Sequence, residues 1–524
     1  MSTIKIYRPR CRLRQAGKVQ RNAKGFKTMR RFGFLFSTVI LITAIHAFAA
    51  DDVVTRAMRL YEKRHYDQAA KMLCANEAYV EQGKRESADL ALGMIYFRNA
   101  VLHRELYQVA MVTSQDYLKR LSETRGEDRS RFVDLYLGEA LVEAGRSDSA
   151  AVHLRRFSQA QGVEPRYRAI GKVCLGSGYI QNNETSKATE VWRGIDTSDI
   201  EVRTELAAAR SKARLTDKEP SSIAEGILSE MQRSGKSLSM RMVKNLVALY
   251  ARGSGLTGKG LELLNRSDLK AFSYRESLGK SKVIHFYDIS LLNDMTTLYG
   301  RASITCLQKA AADPKVKDAA EFYLAQAYSL FGSPEQSSKV TASFLATSQM
   351  PQQYKDRVRV WQGANLYARH RHTEAIALWD ELMRKPLEDP DLLAEILFAC
   401  SRIKTDCPGA LQKAAAMVET KESKKLSLLN SAIGKAYLDK LDPVRALSYL
   451  EAGRDKSNKN KMESNDPLML VSLADAYYRT KKFSEALEIY FEMSKEFPEI
   501  RQIQEAVQGV YAMEQKSAGD VKIN

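Results

Sequence analysis

Between Pro467 and Pro498, apolar residues recur every three or four positions in two short runs separated by a polar step. Leu470, Leu473, Ala474 and Tyr477 share one helical face. Lys481 to Ser484 interrupts the pattern, and Ala486, Tyr490 and Met493 mark the facing stripe of a second run. Small Ala474 and Ala486 stand where two helices approach closely. Tyr477 and Tyr490 stand where volume must be filled, and Pro498 stops the second helix. The pattern predicts a helix–turn–helix pair. One pair cannot bury its own stripe, so neighbours are required.

The same rhythm recurs upstream. Val54, Tyr61, Ala70 and Cys74 carry it at the front, and residues 86–122 read as a pair with Leu92, Gly93 and Tyr96 on its first helix and a turn near His103. Residues 131–164 repeat it through Leu137, Gly138, Leu141, Ala150 and Leu154. Residues 169–202 repeat it through Leu175, Gly176, Tyr179, Ala188 and Trp192. The spacing blurs over 203–240 and returns weakly over 241–274. SKVIHFYDIS at 281–290, rich in β-branched and aromatic residues, reads as strand or extended chain. Helix resumes over 291–313, and pairs follow at 318–351, 356–389, 391–426 and 427–461. A final helix with a polar face, reaching 516, is expected to cap the array, with 517–524 frayed. About ten pairs thus form an N-terminal array (51–274) and a C-terminal array (291–516), with an irregular joint at 275–290.

In the window 467–498, Leu470, Ala474, Tyr477, Ala486, Tyr490 and Pro498 resemble the tetratricopeptide repeat, a pair of about 34 residues. The resemblance implies an all-α fold, a right-handed α-solenoid whose first helices line a concave face that holds a peptide. Its inward register falls on Arg357, Val360, Ala364 and Tyr367, and on Leu428, Ser431, Lys435 and Leu438. In the last pair it falls on Leu468, Val471, Asp475, Tyr478 and Arg479. Of these, Arg357, Val360, Tyr367, Leu428, Lys435, Asp475, Tyr478 and Arg479 are the candidate partner-binding residues. The Lys and Asn set with which co-chaperones of this family grip a terminal carboxylate is not recognisable.

Charge changes the picture at the front. The net charge is +18, but residues 1–50 hold four Lys, seven Arg and no acid, and without them 70 basic residues face 63 acidic ones. Basicity therefore belongs to the leader, and a nucleic-acid partner is not expected. Arg30-Arg31, the apolar run Phe32–Ile45 and Ala47-Phe48-Ala49 form an export signal, with cleavage expected after Ala49 and Met29 as an alternative start. An uncleaved inner-membrane anchor facing the periplasm is the alternative. Either reading places the remainder in the periplasm or outside the cell. Cys74, Cys174, Cys306, Cys400 and Cys407 follow the signal. Only Cys400 and Cys407 are close in sequence, which leaves a local bridge open.

Candidate chemistry is sparse. Gly253–Gly260 (GSGLTGKG) nearly spells a phosphate-binding loop, but Gly260 replaces the hydroxyl residue and a helical pattern precedes it. His370-Arg371-His372 falls in a polar turn, without further ligands to complete a metal site. Glu139, Glu143, Asp475 and Glu485 single out no acid–base pair. No enzyme activity, cofactor or metal is expected. The expected role is an envelope scaffold for protein or peptide partners, in an outer-membrane, secretion or export assembly. The alternative is a helical or glycan-binding arm of a cell-wall or polysaccharide-processing system.

Overall fold

The computed structural model describes residues 52–497, together with Val510 and Met513. Breaks fall at 77–79, 81–83, 124–131, 255–256, 266–276, 279–280, 283–286, 385–388, 404, 406, 421–425 and 455–465. The first pair is α1 (Val53–Glu62) and α2 (Tyr66–Ala75), followed by a single long helix, α3 (Arg85–Glu123). Four pairs come next: α4 (Phe132–Glu143) with α5 (Ser147–Gln159), α6 (Pro165–Gln181) with α7 (Thr185–Arg193), α8 (Ile200–Lys212) with α9 (Pro220–Ser234), and α10 (Met240–Arg252) with α11 (Thr257–Asn265). A two-residue antiparallel ribbon, β1 (Ser277–Leu278) and β2 (Ser281–Lys282), precedes a second long helix, α12 (Tyr287–Ala310). Five further pairs follow among the described residues: α13 (Lys317–Phe331) with α14 (Pro334–Thr347), α15 (Gln352–Ala368) with α16 (His372–Arg384), α17 (Pro390–Arg402) with α18 (Pro408–Thr420), α19 (Ser427–Asp439) with α20 (Pro443–Gly453), and α21 (Pro467–Arg479) with α22 (Phe483–Glu496).

Local chemistry sets the boundaries. Asp52, Asp199, Ser239, Asp389 and Asp466 accept backbone N–H groups at helix N-termini, and Pro stands in the first turn of α15's neighbour α17 and of α21. In seven pairs the reversal runs through one left-handed residue: Arg64, Gly145, Asn183, Arg214, His370, Leu441 and Lys481. Such a residue ends a helix sharply while the chain folds back on itself.

Repetition is visible in the core as well. The Trp192 indole donates to the Val173 carbonyl at 3.0 Å, and the Trp379 indole donates to Val360 at 3.0 Å. Each ring lies where a Cβ on Gly176 or Gly363 would stand, 2.1 and 2.3 Å from its Nε1. Glycine is therefore required at both positions by close approach.

Three expectations change. Residues 86–122 form one helix rather than a pair. No Pro or polar turn interrupts them, Gly93 is helical with the rest, and His103 lies buried in mid-helix, its Nδ1 2.8 Å from the Asn99 carbonyl. The segment 281–290 supplies only β2 of a ribbon, and from Tyr287 onward it is helix. Thr257–Gly260 of the glycine-rich stretch begin α11, with Lys259 bonded to Glu225 at 2.6 Å. Most of the proposed joint and nearly all of the expected capping helix lie outside the described residues, although Val510 and Met513 are buried.

The two helices outside the pairs, α3 and α12, pack against each other. The Ser303 hydroxyl donates to the Gly93 carbonyl at 2.7 Å, and a Cβ on Gly93 would meet Leu307 Cγ at 2.6 Å. The first and last described pairs also meet. His65 lies 3.6 Å from Glu496 and 5.5 Å, ring to ring, from Phe497. Val54, Ala91, Leu307 and Tyr490 belong to one continuous apolar core, and residues 360–433 build a second.

Candidate functional site

The first helices of the C-terminal pairs turn their inner side chains towards α3. The Arg104 guanidinium donates to the Arg402 carbonyl of α17 at 3.3 Å. Lys435 of α19 reaches Glu105 and Gln108, each at 3.0 Å. The Tyr478 hydroxyl of α21 donates to Asp116 at 3.2 Å. Three successive pairs thus grip α3 at successive levels, as a solenoid grips a helical peptide, and the helix comes from the same chain.

This placement revises the expected groove. Val360 is fully buried, and its carbonyl receives Trp379. Asp475 and Tyr478, expected to line an open concave face, are each 4 % exposed. Asp475 accepts two bonds from Arg479, each at 2.9 Å, and Tyr478 packs on Phe483. Arg357 is buried beside Asp391, 3.5 Å away. Lys435, Tyr367, Leu428 and Arg479 keep partial exposure. Tyr367 lies edge-on to His372 at 4.1 Å, and Leu428 packs on the second core. The physical reason for the revision is α3: inward positions that would be open in an empty solenoid are covered by it.

Electrostatics follow the burial. Burial would raise the Glu105 carboxyl, but Lys435, Arg402 and Arg104 together hold it below the usual range. Burial would lower the Lys435 ammonium, and Glu105 and Asp439 keep it above the ordinary value. Burial pushes the Asp475 carboxyl up despite Arg479.

The N-terminal array holds a different buried cluster. Arg241 on α10 donates to Glu139 on α4 and to Glu205 on α8, both at 2.8 Å. Lys244 and Asn245 also bond Glu205, at 3.2 and 2.8 Å. Glu139, Glu205 and Cys174 could in principle ligate a metal, their donor atoms lying within 4.8 Å of one another. Arg241 and Lys244 already neutralise both carboxylates, and burial together with Glu139 pushes the Cys174 thiol well up. The donor set fits an ion-pair network better than a cation. His370 and His372 are exposed at their turn.

Cys400 and Cys407 form a disulfide across the turn after α17, with Cα atoms 6.3 Å apart. Sequence reasoning missed Arg104, Glu105 and Arg402. The available signal was a stretch of 39 residues without a proline.

No protein-family model matches the chain, and no curated protein sequence is similar to it. Among solved structures it is similar to yeast Tom70, at 12% identity over 91% of this chain and 96% of that one, with a TM-score of 0.33. It is similar to the APC/C hetero-tetramer Cut9–Hcn1, at 14% identity over 90% and 99%, TM-score 0.25. It is also similar to the maize pentatricopeptide repeat protein PPR10, at 13% identity over 94% and 68%, TM-score 0.21. Superposition this loose carries no argument, so the fold rests on the helix pairs described above. Those pairs, with their recurring turns and small-against-large packing, make the chain an all-α solenoid of tetratricopeptide-like repeats.

Proposed function

We propose that this solenoid is a non-enzymatic scaffold of the bacterial cell envelope that binds a protein partner along the inner side of its C-terminal array. The observation that carries this reading is the grip on α3: a backbone carbonyl of α17 and side chains of α19 and α21, from three successive pairs, hold a helix, the binding mode of a helix-in-groove receptor. In this reading Tyr367, Leu428, Lys435 and Arg479, which keep exposure at the margin of that grip, contact the partner, while Val360, Asp475 and Tyr478 shape the groove from within. The leader before Asp51, outside the described residues, supports export. The Cys400–Cys407 bridge supports an oxidising compartment. Among the described residues, no helix is long and apolar enough to cross a membrane.

The test combines location with contact. A photo-crosslinking residue at Tyr367 or Leu428, in the full chain in its native cell, is expected to trap one recurring envelope protein, and Arg479→Ala is expected to reduce that product. Fractionation is expected to place the mature chain in the periplasm. No recurring crosslink at either position would overturn the groove reading, and a cytoplasmic chain with its leader intact would overturn the envelope reading.

A further inference from the structure

The connection between α17 and α18 is longer than that of the last pair, and it is the one that carries a disulfide. In the last pair Lys482 donates its N–H back to the Tyr477 carbonyl at 2.9 Å, and α22 begins at the next residue, Phe483. After α17 the equivalent bond runs from the Thr405 N–H to the Cys400 carbonyl at 3.0 Å, but α18 begins only at Pro408. Cys407 lies in that extra length. Its bond to Cys400, in the last turn of α17, ties the start of α18 to the end of α17.

The bridged segment also belongs to the grip on α3. The carbonyl of Arg402 accepts from Arg104 of α3 at 3.3 Å. The Ser401 hydroxyl donates to Asp439 at the end of α19. Asp439 lies 3.5 Å from Lys435, and Lys435 lies 3.0 Å from Glu105 of α3. Ser401 and Arg402 therefore reach α3 by two routes, one direct and one through α19. Both residues stand in the last turn of α17, where backbone carbonyls lack helical partners and fraying begins.

We propose that the Cys400–Cys407 bridge is a redox-sensitive latch: oxidised, it holds the last turn of α17 against α3 and α19, and reduced, it loosens the C-terminal array's grip on the Arg104–Glu105 level of α3. A disulfide across a short loop acts by removing conformations that the open chain would sample. Here those conformations are the ones in which Ser401 and Arg402 leave their partners. Cys407 keeps partial exposure and Cys400 is 3 % exposed, so an incoming thiolate meets Cys407 first. A dithiol supplies the electrons. One of its thiolates attacks the Cys407 sulfur, the bond between the two sulfurs breaks, and Cys400 leaves and takes up a proton. The second thiol of the reagent then closes on the first, releasing the Cys407 thiol. Two electrons pass to the bridge, and the dithiol becomes a disulfide.

The latch needs no partner, because it acts on a helix of the same chain, so its failure leaves the partner reading untouched. Hydrogen exchange of the full mature chain, with and without dithiothreitol, tests it, and alkylation counts the thiols released. The folded chain is expected to yield the Cys400 and Cys407 thiols. Amides of α3 around Arg104 and Glu105 are expected to exchange about tenfold faster once the bridge is open, while those of α4 to α7 keep their rates. A Cys400→Ser, Cys407→Ser double variant is expected to show the faster rates with or without the reagent. A bridge that resists dithiothreitol until the chain unfolds overturns the latch. So does acceleration confined to α17 and α18, which makes the bridge a local staple, or equal acceleration throughout the chain, which makes it a global one.

Discussion

In the N-terminal array Arg241 lies between Glu139 and Glu205, each at 2.8 Å, and Lys244 adds a second cation to Glu205. In the C-terminal array α17, α19 and α21 close on α3. The two halves are built from the same kind of pair. They differ in what fills the middle. The N-terminal interior is filled by side chains of its own first helices, α4, α8 and α10. The C-terminal interior is filled by a helix that enters from residue 85 onward. The first array balances its buried charge between its own helices, whereas the second balances Lys435 against Glu105 on a helix borrowed from far along the chain.

Three perturbations act on this contrast with decreasing force. Glu205→Ala is expected to be the most damaging, at about 3–5 kcal/mol, because it removes the buried carboxylate shared by Arg241 and Lys244. Urea unfolding of the purified chain measures the loss. The wild type carries a linked pH signature. Burial opposes ionisation of Glu205, but Lys244 and Arg241 overcome it and bring its pKa from 4.5 down to about 2. A depressed carboxylate contributes stability that is complete above its unfolded value and is lost as pH falls through the folded one. The stability of the N-terminal array should therefore decline between about pH 4.5 and pH 2 by roughly 3 kcal/mol. That slope should flatten in Glu205→Ala. A variant with the wild-type pH profile would show that the network is not what sets apart the N-terminal interior.

Gly93→Val should cost about 1–3 kcal/mol, since a Cβ there meets Leu307 Cγ at 2.6 Å and the Leu307 backbone nitrogen at 3.3 Å. Because α3 serves both arrays, tryptophans on both sides, Trp192 and Trp379, should report the change together. Loss confined to one half would show that α3 is not shared. Tyr478→Phe should act least, at about 0.5–1.5 kcal/mol, removing one bond to Asp116. Hydrogen exchange should quicken at the C-terminal end of α3 and stay unchanged near Gly93. Equal protection in both forms would mean that α21 does not hold that end.

Much of the pair architecture was legible from residues a few positions apart. Ala474 against Tyr490 and Gly363 against Trp379 are local spacings, and each predicted helix pair from 318 onward has its observed counterpart. The cap at Asp466 and the turn at Lys481 follow from side-chain chemistry at single positions. The reading failed at 86–122, where a template of two helices was laid over a segment with no proline and no turn sequence. The contrary signal was present: Leu90, Ala91, Met94, Ile95, Phe97, Val101 and Leu102 leave little polar face, which marks a helix buried all round. The exposure of Asp475 and Tyr478 was misjudged for a related reason, because their cover comes from Asp116 and its neighbours, more than 350 residues away in the chain.

What the sequence determined by itself was the period, the small and large positions, and the turn chemistry, since these rest on contacts within one helix or between consecutive ones. The course of α3 through the molecule, its pairing with α12 and the meeting of His65 with Glu496 were decided only in three dimensions. A periodic pattern specifies which side of a helix must be covered. It carries no information about which distant segment does the covering, because apolar burial is non-directional and any helix with a matching surface can provide it.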